Sequence, residues 1–254
     1  QAIVLPNSLK SALIPWFANI PKRTGFVGEM RYGLLNDARK LEPEALPLMV
    51  ERFAFLAGDK GAALQRPVPH PKMVVDSSQA KSTLDALGLS LAKPVVAFCP
   101  GAEYGEAKRW PAKHFAELAR AVRAAGGQVW IFGSNKDREI GDAILAGAGA
   151  DDVCQLAGKT SLDQAVDLLS LASVVVTNDS GLMHVAAALE RPIVALFGSS
   201  SPGFTPPLSD RAQVLSLNLS CSPCFKRVCP LGHLDCLNKL SPQQVYQALL
   251  PVLS

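Results

Sequence analysis

Three groups of residues have the types and spacing to do chemistry. The first is Thr177-Asn178-Asp179-Ser180-Gly181-Leu182-Met183-His184. Here an apolar run ends on a small polar stretch, and a helix begins at Gly181. Backbone N–H groups at such a start point outward with the positive end of the helix dipole, which suits a phosphate. His184 lies one turn further in and can add a hydrogen bond or a charge. Asp179 can accept hydrogen bonds from sugar hydroxyls. The same spacing also fits a plainer arrangement, in which Asp179 or Ser180 only caps the helix and His184 is an interior histidine. Spacing alone does not choose between them.

Lys108 and Arg109 form the second group. They stand between a glycine turn and a helix starting at Pro111, where a cation can reach a diphosphate; two exposed basic residues on a loop read the same way. The third group is Cys221-x2-Cys224-x4-Cys229-x6-Cys236, with His233 inside it. Four thiols so close in sequence have the chemistry for Zn²⁺, but the gaps match neither common zinc pattern, so a metal is not favoured there. Disulfides are not expected in a cytosolic protein. Cys99 and Cys154 read as small core residues. Lys10, Lys22, Arg23 and Arg31 make a basic group near the start, either a solvated face or a contact for an anionic acceptor.

The elements that must position these groups alternate regularly from residue 94 onward. Pro94 to Cys99, Gln128 to Phe132, Val153 to Leu156, Ser173 to Thr177 and Ile193 to Phe197 read as buried strands. Helices are expected over Pro111 to Ala125, Lys136 to Ala146, Ser161 to Leu171 and Gly181 to Leu189, the third with a capping box of Ser161 and Gln164. Short connections and continuously apolar strands predict a parallel α/β sheet covered on both faces. Ligands of such sheets bind beyond the carboxyl ends of the strands. The loops there are Pro100 to Gly105, Gly133 to Asn135, Ala157 to Thr160, Asn178 to Gly181 and Gly198 to Ser201, all rich in glycine or small polar residues. No G-x-G-x-x-G joins a strand to a helix and no P-loop occurs; Gly147 and Gly149 follow a helix, so NAD chemistry and ATP hydrolysis are not supported.

Residues 1–65 also read α/β, with a strand over Ala2 to Leu5, helices over Ser8 to Phe17 and Pro47 to Ala57, and a segment Arg23-Thr24-Gly25-Phe26. They are too few for a full doubly wound domain. Residues 66–94 are proline-rich and carry one short helix. The expected division is therefore an amino-terminal part with a linker over 1–90 and a second domain over 91–254. The chain has 254 residues, a net charge of +3 and 48% hydrophobic residues, enough for a sizeable core. That charge balance is no footprint for nucleic acid. No apolar run reaches the ~18 residues of a spanning helix, and no secretory signal is seen, so a cytoplasmic protein is expected.

Phe98-Cys99-Pro100-Gly101-Ala102-Glu103 through Lys108-Arg109-Trp110-Pro111, with Asn178-Asp179-Ser180-Gly181-Leu182-Met183-His184 and the helix to Leu189, closely resembles the bacterial ADP-heptose:lipopolysaccharide heptosyltransferases of glycosyltransferase family 9. Leu5-Pro6-Asn7-Ser8, Arg23-Thr24-Gly25-Phe26 and Arg31-Tyr32-Gly33-Leu34-Leu35-Asn36 look more like heptosyltransferase II than heptosyltransferase I. The resemblance implies a GT-B fold, with two Rossmann-like domains of parallel sheets and the donor held mainly by the second. It implies inverting transfer of L-glycero-D-manno-heptose from ADP-heptose to the inner core of lipopolysaccharide, at the cytoplasmic face of the inner membrane. The enzyme would touch that membrane peripherally and act as a monomer. Gly101, Ala102 and Lys108 would meet the diphosphate, Asp179 would hold heptose hydroxyls, and Ser180, Gly181 and His184 would contact phosphate and sugar. Lys108 and Asp179 would be catalytic, Lys159 would lie near the adenosine, and Arg23 and Arg31 would face the anionic acceptor. With no D-x-D motif, no metal is expected to be obligatory; assistance by Mg²⁺ stays open.

One departure from the family is large. The opening strand, turn and helix that carry the family's proposed general base, an aspartate, have no counterpart here. The amino-terminal domain is therefore expected to be incomplete, short by roughly one third of that domain or more, judged from the size of a complete Rossmann-type domain. The resemblance thus implies that the base precedes Gln1; nothing singles out Glu29, Asp37 or Glu103 for that role. The alternative function is a nucleotide-sugar-binding module without turnover. A sugar-nucleotide epimerase of the same architecture would need a pair of carboxylates for proton abstraction, and no such pair is seen.

Overall fold

The computed structural model describes residues 1–253. The chain divides into two compact units, Gln1–Pro69 with Gly203–Pro206, and His70–Pro202 with the chain from Pro207 onward.

The first unit holds a sheet of three parallel strands in sequence order: β1 (Ala2–Val4), β2 (Arg23–Phe26) and β3 (Asp37–Arg39). Helix α1 (Leu9–Phe17) begins at Ser8, whose hydroxyl accepts the Ser11 N–H, and α2 (Met49–Ala57) begins where Glu51 accepts the Leu48 N–H at 3.2 Å. The apolar core is small, built from Val4, Ala12 and Leu35 and from Phe26, Leu46 and Leu56. Polar anchors supplement it. The buried Asp37 carboxylate meets Arg39 at 2.9 Å and the Thr24 hydroxyl at 2.9 Å, while Arg39 also donates to the carbonyls of Phe55 and Gly58. The Arg39 hydrogen bond, ahead of the opposing effect of burial, holds Asp37 below the usual carboxylate range. Strand β3 escapes a reading by apolar runs because two of its three residues are charged, and it is the mutual pairing of Asp37 and Arg39 that lets them be buried.

The second unit is a six-stranded parallel sheet in the order β6-β5-β4-β7-β8-β9, formed by β4 (Val95–Cys99), β5 (Gln128–Ile131), β6 (Val153–Gln155), β7 (Val174–Asn178), β8 (Ile193–Leu196) and β9 (Ala212–Leu215). This is the Rossmann order, in which the chain runs outward from the central strand, returns, and runs outward on the other side. Helices α4 (Ala112–Ala124), α5 (Arg138–Ala148) and α9 (Pro242–Leu253) cover one face. Helices α3 (Ser77–Ala86), α6 (Leu162–Ser170) and α7 (Gly181–Ala188) cover the other, and a single turn, α8 (Asp235–Asn238), precedes α9. The central strands are buried at every position, as their unbroken apolar sequences require.

The boundary between units lies at Pro69–His70, ahead of the expected position near residue 90. The reason is α3, which packs on α6 and whose buried Thr83 hydroxyl donates to Asp167 at 3.0 Å. Strand β9 and helix α9 add to the expected elements and complete the sheet and its covering layer.

Candidate functional site at the switch point of the sheet

Strands β4 and β7 pair side by side, and here the strand order reverses. A crevice opens at such a point because the loops leaving the two strands turn to opposite faces. Asn178, the last residue of β7 and fully buried, ties the two loops together. Its side-chain N–H donates to the Pro100 carbonyl at 2.7 Å, and its Oδ1 accepts the Trp110 N–H at 3.1 Å. Trp110 is itself buried, with its indole N–H on the Leu240 carbonyl at 2.8 Å and its ring edge against Phe115. The short turn Glu106–Lys108 therefore hangs between two fixed points.

That turn delivers Lys108 to Asp179. The Lys108 Nζ lies 2.5 Å from Asp179 Oδ2, with the side chains 17% and 5% exposed, so water screens the pair little. Asp179 is thus engaged by a cation instead of capping α7. Ser180 occupies the N-cap position in extended backbone, yet its side chain makes no capping hydrogen bond; the hydroxyl stands 3.5 Å from that of Thr177. Gly181 has open space where a Cβ would stand. The plainer capping arrangement is not what these residues adopt. His184, on the outer side of α7, has its pKa lowered by surrounding protein; Asp179 opposes that shift and Lys108 adds to it.

Beside this pair lies a cavity of about 600 Å³ whose lining includes Gly101, Ala102, Ser180 and Gly181 from the expected set. Phe132, Leu162, Leu182 and Val185 supply an apolar side, and Asn135, Asp137, Thr160 and Ser161 a polar one. Lys108, Asp179 and His184 stand outside the lining, as does the exposed Lys159, although its neighbours Thr160 and Ser161 belong to it. Asp137 is a lining residue outside the set expected from the sequence. Its carboxylate accepts the Ser134 N–H at 2.9 Å and the Ser134 hydroxyl at 2.8 Å, a capping box that Ser134-x-x-Asp137 spells out in the sequence. The clamping role of Asn178 depends on contacts 68 and 78 residues away, which its own stretch of sequence does not signal.

With this geometry in view, the relatives are informative. Residues 1–235 match glycosyltransferase family 9 (heptosyltransferase). The lipopolysaccharide heptosyltransferase 2 of Salmonella typhimurium is 50% identical over 262 aligned residues, covering 100% of this chain and 75% of that protein. The chain belongs to glycosyltransferase family 9. The Escherichia coli K12 lipopolysaccharide heptosyltransferase 2 is 51% identical, over 98% of this chain and 74% of its own length. The solved structure of E. coli ADP-heptose lipopolysaccharide heptosyltransferase II superposes with a TM-score of 0.90 at 50% identity, over 99% of this chain and 76% of that one. The GT-B α/β class expected from the resemblance is thereby established, as is membership of a glycosyltransferase family.

The remaining candidates of this family 9 chain are placed as follows. Arg31 is buried, donating to the Pro6 carbonyl at 2.7 Å, to Asn7 Oδ1 at 3.2 Å and to the Phe26 carbonyl. Arg23 donates to the carbonyls of Leu34 and Ile20, each at 2.6 Å. Both guanidinium groups are tied into the loops of the first unit and are not presented as a basic face. Among the candidate bases, Glu29 accepts the Leu9 N–H at 2.7 Å, and Asp37 is paired with Arg39. Glu103 meets Lys136 at 2.5 Å, and that hydrogen bond draws its pKa down. Asp37 and Glu103 are both held below the usual carboxylate range, the opposite of what a general base needs. The four clustered cysteines are free thiols and, with His233, border a small cavity of about 20 Å³. Among the described residues, no group of three or more His, Cys, Asp or Glu side chains is arranged to hold a metal ion.

Proposed function

We propose that this glycosyltransferase moves L-glycero-D-manno-heptose from ADP-heptose to the inner core of lipopolysaccharide, with inversion at the anomeric carbon. The observation that carries the reading is the Lys108–Asp179 pair at the start of α7, beside a cavity of the size that holds a small-molecule ligand. The names of the two relatives at half identity support the choice of sugar and acceptor.

In the reaction the bond from the anomeric carbon to the β-phosphate oxygen breaks, and its electron pair leaves on ADP. The acceptor hydroxyl forms the new bond from the opposite face and passes its proton to a general base, the aspartate that the family resemblance implies. Negative charge grows on the departing diphosphate, so a fixed cation and free helix-terminal N–H groups lower the barrier. Lys108 supplies the cation and the start of α7 the N–H groups, with Gly101 and Ala102 giving close backbone approach. Asp179 holds Lys108 in place before the donor arrives, then accepts hydrogen bonds from heptose hydroxyls as Lys108 turns to the diphosphate. Ser180, Gly181 and His184 complete the phosphate and sugar contacts, and Lys159 lies at the outer rim near the adenosine.

No metal is required in this scheme; Mg²⁺ would act only by screening the diphosphate. Among the described residues no helix is long and apolar enough to cross a membrane. The protein is proposed to work as a monomer at the cytoplasmic face of the inner membrane, in peripheral contact with it.

The test pairs calorimetric titration with ADP-heptose and a transfer assay on heptose-acceptor lipopolysaccharide, each with and without EDTA. Binding and transfer together support the reading. Binding without transfer would favour the module without turnover, and absence of both would refute the donor site.

A further inference from the structure

Arg227 is a cation that the scheme above leaves unused. It belongs to the irregular segment between β9 and α8, and its backbone is pressed against the turn that carries Lys108. The Ala107 N–H donates to the Arg227 carbonyl at 3.1 Å. A Cβ on Gly105, which has φ +155°, would stand 2.5 Å from that same carbonyl oxygen, so the approach requires glycine. Two residues before Arg227, the Phe225 carbonyl accepts the Tyr104 hydroxyl at 2.8 Å. Two residues after it, the Cys229 carbonyl accepts the Gly232 N–H at 3.1 Å. The segment is thus anchored on both sides of Arg227.

The side chain is placed as firmly. The Arg227 guanidinium lies 5.1 Å from the centroid of the Tyr104 ring, and the Lys108 ammonium lies 5.1 Å from the same centroid. The two charges are therefore within ~10 Å of each other, about one Debye length at 0.1 M salt. Lys108 is neutralised by Asp179. Arg227 is exposed, and among the described residues no carboxylate or carbonyl is its side-chain partner. A guanidinium resting on an aromatic face keeps its N–H fork free for a planar, two-point contact with an oxyanion.

We propose that Arg227 is a second cation of the Lys108 site and binds an oxyanion of the phosphate class, with Tyr104 as the platform that aligns it. This rests on the reading that Lys108 meets the donor diphosphate. The oxyanion is either the diphosphate of the nucleotide or an anionic group on the acceptor sugar, and the experiment separates the two.

Arg227→Ala keeps the backbone carbonyl that anchors the turn, so the fold is retained; melting curves verify this. ADP and AMP are titrated into the wild type, Arg227→Ala, Lys108→Ala and the neighbouring Lys226→Ala, and KM for donor and acceptor is measured for each. The expected result is a loss of ADP affinity of about tenfold in Arg227→Ala, a smaller loss for AMP, and a change under about twofold in Lys226→Ala. Unchanged ADP binding with a raised acceptor KM would assign the same contact to the acceptor's anion. Unchanged ADP binding and unchanged KM values would overturn the proposal. If Lys108→Ala weakens ADP while Arg227→Ala alters nothing, only the Arg227 inference fails; if Lys108→Ala is also silent, the donor-site reading fails with it.

Discussion

The Asp137 carboxylate occupies the space beside Gly101 so closely that a Cβ on Gly101 would lie 2.5 Å from its Oδ1. The floor of the cavity is therefore built from a missing side chain and an acid held by Ser134. Gly101→Ala would push that carboxylate off both Ser134 hydrogen bonds. The expected cost is about 1–3 kcal/mol of stability, together with a clear loss of ADP affinity. Melting and calorimetry on Gly101→Ala, Asp137→Ala and the double variant check this. The double variant should recover part of the loss, since removing the carboxylate relieves the clash.

Lys108→Ala and Asp179→Ala each remove one member of a shielded ion pair and one contact proposed for the donor. Each should weaken donor binding or transfer by at least ~2 kcal/mol, the range for hydrogen bonds to charged groups. In the proposed scheme Lys108→Ala acts mainly on kcat, because the charge it stabilises grows in the transition state. Wild-type kinetics in both variants would remove these residues from the mechanism.

Asn178 makes its two hydrogen bonds inside a fully buried environment. Asn178→Ala leaves the Trp110 N–H and the Pro100 carbonyl without partners, at about 2–4 kcal/mol for the two together. Asn178→Asp should be at least as harmful, because a carboxylate oxygen would then face the Pro100 carbonyl. A shift in Tm reads the stability, and loss of transfer in the folded fraction reads the loosening of the Lys108 turn.

His184 offers a pH signature. Burial lowers its pKa, Asp179 opposes and Lys108 reinforces the shift, so the imidazole is neutral at pH 7 and protonates only below its usual ~6.5. A bound anion favours the protonated form, so acidification through that window should strengthen ADP binding by the wild type relative to His184→Gln. Taking the difference between the two proteins cancels the titration of ADP itself. Parallel curves from pH 8 to pH 5 would place His184 outside the phosphate site.

Much of the second unit is legible in the sequence because its strands are buried on both faces and read as unbroken apolar runs. Strand β9 is not legible in the sequence, since Ala212-Gln213-Val214-Leu215 is short and only partly buried at the sheet edge. Helix α9 carries a local signal in its Ser241–Gln244 capping box, with the Ser241 N–H on Gln244 Oε1 at 2.9 Å. In the first unit, Arg23 and Arg31 read as surface cations because sequence carries no sign of which carbonyls come to face them. The acids behave alike: nothing local distinguishes Asp37, locked to Arg39, from an exposed carboxylate.

The sequence by itself determined the alternation of strands and helices, the parallel sheet, the loops that had to hold a ligand and the family whose motifs they carry. Periodicity, capping and apolar runs are local properties, and they are written in order along the chain. Only the tertiary structure decided that Lys108 would meet Asp179, 71 residues away, and that Arg227 would share the Tyr104 ring with Lys108. Those contacts depend on strand order and on the path of the segment after β9. Both are settled by how the helices and sheet bury their surfaces together, which no short stretch of the chain records.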